Sequence, residues 1–256
     1  MNRERILVTN DDGINSRGLD LLINIAKEFG DVIVVAPEES MSGMSHSISM
    51  YKPLFLRSVE QSEGVAKFAC NGTPVDCVKL AADAVMLKNP PTLVLSGINH
   101  GANTNLSVIY SGTMGAACEG STYNVPSIGF SLVSHDVDAD LTASEHYVRE
   151  VIKMVLRNRE AESICLNVNI PNIPLSEIKG IKFCRQTKGY WREDFQKRYD
   201  PHGREYYWLV GSFINTDDAP EEGDDWAISN GYVSIVPVLI DVTDYSKLAK
   251  IKNWTL

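Results

Sequence analysis

Asp11 and Asp12 stand side by side directly after the apolar run Ile6-Leu7-Val8 and just before Gly13. A short apolar run of this kind is the pattern of a buried parallel strand. In open α/β sheets the ground just beyond a strand's carboxyl end is where ligands bind. Two adjacent carboxylates in a crevice repel each other and lose hydration, so the pair is stable when one keeps a proton or a cation lies between them. A hard divalent ion such as Mg²⁺ or Mn²⁺ answers that need, because it prefers oxygen ligands. An exposed Asp-Asp-Gly turn is the plainer alternative, and these residues alone leave both open.

Three further stretches could do chemistry. The segment Glu38 to Ser49 holds Ser40, Ser42, Gly43, Ser45, His46, Ser47 and Ser49. Hydroxyls and a glycine after a strand can bind an anion through backbone N–H and Oγ groups, or form an ordinary flexible loop. His46 is an exposed bystander unless its loop shares a crevice with the aspartates. The second stretch, Ser96 to Asn103, places Asn99 and Asn103 after another apolar strand. The third, Ser111-Gly112-Thr113, opens a helix of small residues. Free N–H groups, hydroxyls and the positive dipole end converge there, which makes either a phosphate seat or an ordinary Ser/Thr cap.

The elements that must position these residues follow from periodicity. Leu19, Leu22, Ile23, Ala26 and Phe29 predict an amphipathic helix. Val32 to Ala36 is a second strand, so the first three elements make a βαβ unit with parallel strands. Residues 51 to 70 predict a hairpin or edge strands. Thr73-Pro74 with Asp76 predicts a capped helix to about Leu87, with Val75, Val78, Ala82 and Val85 inward. Strands are expected at Thr92–Leu95, Pro126–Ser131 and Ile164–Val168, and helices at Met114–Tyr123 and Glu145–Arg157. These give a doubly wound, mostly parallel α/β sheet over residues 1–170. Residues 171–256 are expected to form a β-rich appendage, with strand-like runs at 181–186, 204–210 and 232–237. It carries Tyr190, Trp191, Phe195, Tyr199, Tyr206, Tyr207 and Trp208, and closes with a helix at Tyr245–Trp254. Such an aromatic surface suits packing between subunits.

Several function classes lack their signatures. No G-x-G-x-x-G follows the first strand, and there is no G-x-x-x-x-G-K-[ST], no G-x-S-x-G and no zinc spacing of Cys and His. A net charge of −9 argues against a broad nucleic-acid surface. No apolar run approaches the roughly 18 residues that span a bilayer. The N-terminus leads straight into a strand with no apolar signal segment, and five unpaired-looking cysteines favour reduced thiols. Together these give an expectation of a cytoplasmic protein.

The ordered motifs resemble the SurE family, the stationary-phase survival proteins. They are Ile6-Leu7-Val8-Thr9-Asn10-Asp11-Asp12-Gly13, Val35-Ala36-Pro37 with Ser42-Gly43 and His46-Ser47-Ile48, and Asn71-Gly72-Thr73-Pro74-Val75-Asp76-Cys77-Val78. Ser96-Gly97-Ile98-Asn99-His100-Gly101-Ala102-Asn103, Tyr110-Ser111-Gly112-Thr113 and Gly231-Tyr232-Val233-Ser234 complete the set. The resemblance implies a metal-dependent 5′/3′-nucleotidase with one divalent cation per subunit on Asp11, Asp12, Ser42 and Asn99. It also implies homodimers or homotetramers with an exchanged C-terminal segment. Ile235-Val236-Pro237 departs from the family pattern, which has a threonine before the proline.

The expected activity is hydrolysis of nucleoside monophosphates, and of short polyphosphate. Asp11 would orient or deprotonate a water, or else attack as a nucleophile. Asp12 would chiefly ligate, and His46 would contact phosphate or protonate the leaving group. Asn10, Gly43, Ser45, Asn99, Asn103, Ser111, Gly112 and Thr113 are the expected phosphate and substrate contacts. A non-catalytic nucleotide sensor and a metal-dependent nucleotide-sugar transferase are the competing readings.

Overall fold

A computed structural model describes residues 3–158 and 164–254. Among them, nine strands form one sheet in the order β3-β4-β2-β1-β5-β6-β7-β11-β8. Next to its middle strand lies β1 (Glu4–Thr9), flanked in parallel by β2 (Gly30–Pro37) and by the middle strand itself, β5 (Leu93–His100). Beyond β2 lie β4 (Val65–Cys70), parallel, and β3 (Leu56–Ser62), antiparallel, so the expected hairpin exists and forms one edge of the sheet. Beyond β5 lie β6 (Ser127–Val133) and β7 (Cys165–Pro171), both parallel.

The chain thus builds outward from β1 on one side, then crosses to the other side at β5. The reversal leaves a crevice past the carboxyl ends of β1 and β5, where open α/β sheets bind ligands. β1 is buried on both faces: Ile6 and Val8 pack with α1 (Arg17–Ala26) and α4 (Thr142–Arg157), and Leu7 with α2 (Pro74–Leu80). That two-sided burial is why its apolar run is continuous rather than alternating. Each fully buried Ile or Leu contributes about 1.5–3 kcal/mol.

Helix starts follow their caps. The Ser16 hydroxyl accepts from Leu19 N–H at the start of α1. Thr73 and Asp76 form the reciprocal capping box of α2. The expected long helix to Leu87 instead widens into a single π-type turn at Ala81–Val85. The extra residue in that turn rotates the face, so Ala81 and Met86 are buried while Ala82 and Val85 are only half-buried. Gly18 is required at the first turn of α1, because a Cβ there would lie 2.1 Å from the Ile98 carbonyl oxygen. The helix therefore presses directly on β5 beside the crevice.

The sheet crosses the expected division at residue 170. β11 (Val233–Pro237) pairs antiparallel with β7, and β8 (Ile181–Phe183) pairs parallel with β11. Only β9 (Gly189–Tyr199) and β10 (Glu205–Asn215) stand apart, as a two-stranded antiparallel hairpin of 11 residues a side. α5 (Asp224–Ser229) precedes β11, and α6 (Tyr245–Ile251) lies near the end of the described chain. No described helix is long and apolar enough to cross a membrane.

Candidate active site at the sheet's switch point

Asp11 and Asp12 lie one residue beyond the end of β1, after Asn10, and Asn99 lies inside β5 rather than in a loop after it. β5 continues through Ser96-Gly97-Ile98 with an irregularity in its pairing to β6 between Ser96 and Asn99. The third component is α3 (Gly112–Thr122). Its N-terminus approaches Asp11 closely: a Cβ on Gly112 would lie 2.8 Å from the Asp11 Cβ.

Asp11 is buried, and its Oδ1 accepts a 2.6 Å hydrogen bond from the Thr113 hydroxyl. Burial pushes its carboxyl up to about 6, opposed by the Thr113 hydrogen bond and reinforced by the Asp12 charge. Asp12 Oδ2 accepts from the His100 backbone N–H at 3.1 Å and lies 3.4 Å from His100 Nδ1. The 38–49 loop is tied to the same corner, since Met41 N–H donates to the Asp11 carbonyl at 2.7 Å. Ser42 follows immediately, exposed, with its hydroxyl 3.2 Å from that of Ser40. Gly43 has φ of +76° with nothing near a Cβ position, the left-handed backbone this turn requires.

Asn10 donates to the Gly13 carbonyl and the Ser16 hydroxyl, while its buried Oδ1 has no partner. Asn99 Nδ2 donates to the Gly101 carbonyl at 2.8 Å, which fixes the amide's orientation. Ser111 is the N-cap of α3, its hydroxyl accepting from Met114 N–H at 3.0 Å. Ser45 N–H donates to the Tyr110 carbonyl and its hydroxyl to the Ile109 carbonyl. These two bonds join the 38–49 loop to the segment leading into α3.

Three expected residues behave differently. The Thr113 hydroxyl is engaged with Asp11, so it supports the carboxylate rather than facing a phosphate alone. Asn103 is built into a buried scaffold: Nδ2 donates to the Ser131 hydroxyl, its N–H to Asn169 Oδ1, and its carbonyl accepts from Asn167. His46 engages neither aspartate. Its Nε2 lies 2.8 Å from Glu119 Oε2 of α3, and Lys79 Nζ sits 2.7 Å from the other oxygen. Burial raises the Glu119 carboxyl, but the Lys79 and His46 hydrogen bonds outweigh that and hold it below the usual range.

Sequence reasoning missed His100, Glu119 and the Asn167–Asn169 pair. Glu119 carried a signal: a lone carboxylate inside a helix of small residues needs a cationic partner when buried. His100 lies within the Ser96–Asn103 motif, but its backbone N–H meets Asp12 only through the fold, 88 residues away in sequence.

The chain as a whole has relatives among known proteins. A family profile described as "Survival protein SurE" matches residues 6–193. The chain belongs to the SurE family. It is 45% identical over 257 residues to the 5′-nucleotidase SurE of Flavobacterium psychrophilum, covering 100% of this chain and 99% of that one. It is 46% identical to the protein of the same name from Cytophaga hutchinsonii, over 99% and 98% of the two chains. The crystal structure of the SurE protein from Aquifex aeolicus matches with a TM-score of 0.82 at 38% identity, covering 97% of this chain and 98% of that chain. That agreement confirms the α/β architecture of the SurE fold along nearly the whole chain.

Proposed function

We propose that this protein is a metal-dependent phosphomonoesterase that hydrolyses nucleoside 5′-monophosphates, and 3′-monophosphates and short polyphosphate in addition, with the site at the switch point described above. The observation that carries the reading is the buried Asp11 carboxylate beside Asp12, facing the N-terminus of α3. The relatives' name, 5′-nucleotidase SurE, supports the same activity and favours neither a sensor nor a sugar transferase.

The residues fit a divalent cation on chemical grounds. Among the described residues no group of three or more His, Cys, Asp or Glu gathers as a metal cluster. The donors at hand are instead two carboxylates with hydroxyl and amide oxygens, which suit Mg²⁺ or Mn²⁺ rather than zinc. Asp11, held up by burial and by Asp12, gains most from a counter-ion, and the unpartnered Asn10 Oδ1 adds a neutral oxygen. Asp11, Asp12, Ser42 and Asn99 would hold the ion. When bound, it polarises a phosphoryl oxygen and acidifies a water.

This chain's own residues do the remainder. The free N–H groups at the start of α3, with Ser111 and Gly112, receive the phosphoryl oxygens. Asp11 orients the attacking water or accepts its proton as general base. Thr113 fixes the orientation of Asp11, and the His100 amide fixes that of Asp12. His46, on the loop joined to the site and held by Glu119, is the expected source of a proton for the leaving group. The reading includes a homodimer or homotetramer, supported by the exposed aromatics of β9 and β10 and the uncovered face of α6. It also includes a cytoplasmic location, supported by five free cysteines. The test is phosphate release by purified, chelated protein across a panel of nucleotides with metals added back one at a time. Release without added metal, or none with any nucleotide, would refute it.

A further inference from the structure

Asp224 and Asp225 open α5, in the part of the chain expected to serve assembly. Asp224 is almost fully buried. Three backbone amides donate to it: Thr187 N–H at 3.0 Å and Asp225 N–H at 2.9 Å on Oδ1, and Asn105 N–H at 3.0 Å on Oδ2. A carboxylate only accepts hydrogen bonds, so it takes all three at once, whereas an asparagine would set its amide NH₂ against one of those donors. Thr187 lies just before β9, and Asn105 opens the 3₁₀ turn Asn105–Tyr110 that leads into Ser111 and α3. Asp224 therefore joins α5, the root of the β9–β10 hairpin and the approach to the phosphate seat.

Asn105 is the link to the chemistry. It is the buried residue of its turn, none of whose apolar side chains is fully buried. Packing alone therefore holds the turn weakly, and hydrogen bonds to charged groups are the stronger kind. Asn105 Nδ2 donates to both oxygens of Asp225, each at 3.1 Å, and its Oδ1 accepts from the Ser107 N–H at 3.1 Å. Its φ of +47° lies in the left-handed region, which asparagine tolerates. The turn is thus tied at both ends. Asn105 meets α5 at one end, and the Ile109 and Tyr110 carbonyls meet Ser45 at the other. The second tie joins the loop that carries Ser42; the first has no part in the chemistry described above.

We propose that Asp224 and Asp225 are positioning residues for phosphate binding: by holding Asn105 they fix the turn that sets Ser111 and the start of α3 in place. The assignment rests on the nucleotidase reading of that seat. It gives the chain beyond residue 170 a part in the reaction within its own subunit, separate from any part in assembly.

The test uses the full-length protein loaded with Mg²⁺, its Asp225→Ala and Asn105→Gly variants, and the double variant. Affinities for inorganic phosphate and for Mg²⁺ are measured by titration calorimetry, and oligomer mass by light scattering. Glycine keeps the left-handed backbone accessible, so Asn105→Gly removes the side-chain tie without forbidding the turn. A seat that is ordered for a smaller fraction of the time binds proportionally more weakly. Each single variant should weaken phosphate binding roughly 3- to 30-fold, part of the effect of losing a hydrogen bond to a charged group, while Mg²⁺ affinity moves by less than about twofold. The double variant should be no weaker than the worse single one, because both changes remove the same contact. Phosphate and Mg²⁺ affinities falling together, single effects that add, or phosphate binding unchanged in both variants would overturn the proposal. Loss of oligomer mass in step with phosphate affinity would do the same. Should Asp225→Ala fail to fold, Asn105→Gly decides alone. Phosphate affinity needs no turnover, so the two readings fail separately. A protein that binds phosphate through this clamp yet hydrolyses no nucleotide loses the nucleotidase reading and keeps the positioning role. An unaltered protein that binds no phosphate overturns the positioning role, whatever it hydrolyses.

Discussion

The buried Asp11 carboxylate lends itself to a direct test through Asp11→Asn in chelated protein. The substitution removes the charge but keeps the oxygen that accepts from Thr113. In the folded chain burial raises Asp11 from 3.8 to about 6, with Asp12 adding to the shift and Thr113 opposing it. Because the folded pKa lies above the unfolded one, the folded state holds more protons between those two values. Stability contributed by this group is therefore present below the unfolded value and lost as pH rises through about 6. Two pKa units correspond to about 3 kcal/mol at neutral pH.

Asp11→Asn should recover about that amount in thermal or urea unfolding near pH 7. For a chain of this size it equals roughly 6–12 °C in Tm. The gain should shrink below about 1 kcal/mol near pH 4, where the folded carboxyl is protonated and the unfolded one, at 3.8, is about half protonated. Adding Mg²⁺ or Mn²⁺ should then stabilise the wild type more than the variant, since binding to the folded state raises its stability by mass action. A variant no more stable than wild type at neutral pH, or one whose advantage is the same at pH 4, would refute the reasoning.

Other outcomes follow from the same geometry. Asp11→Asn and Asp12→Asn should each lower metal-dependent turnover by orders of magnitude with the fold retained by circular dichroism. Thr113→Val removes the donor to Asp11 and should weaken cation binding by about 1–2 kcal/mol in titration calorimetry, with no loss if the hydroxyl serves phosphate alone. Glu119→Ala strands Lys79 and His46 and should cost roughly 1–3 kcal/mol in urea unfolding. Deleting residues 244–256 should lower oligomer mass by light scattering more than it lowers the melting point, because Tyr245, Ile251 and Trp254 are exposed on the single chain.

How much of this was legible depended on the range of the interaction concerned. Strands and caps are local, so the apolar run of β1 and the Thr73–Asp76 capping box were readable in the sequence. Asn99 is legible by type but not by place: β5 runs on past Gly97 to His100 with an irregular register against β6, a pairing between strands distant in sequence. β9 is illegible for a different reason. Its burial alternates little, most of its residues being exposed, so period-two patterning is absent. β11 looked like appendage because sequence order cannot show that a strand returns to a sheet begun 230 residues earlier.

The roles inside the site were less legible than its members, and the reason is physical. A hydroxyl beside a helix N-terminus can cap the helix, meet a phosphate or hold a carboxylate, and composition does not choose among these. Close approach chooses. Gly112 brings the α3 backbone against Asp11, and at that separation the Thr113 hydroxyl finds the carboxylate first. A larger residue at position 112 would push the two apart, since its Cβ would meet Asp11 Cβ at 2.8 Å and Oδ2 at 3.0 Å. Gly112→Ala should therefore impair turnover although it adds one methyl and improves helix propensity by up to about 1 kcal/mol. Raised stability with lost phosphate release would show that the glycine serves the site; unchanged kcat would show that α3 can give way without disturbing Asp11.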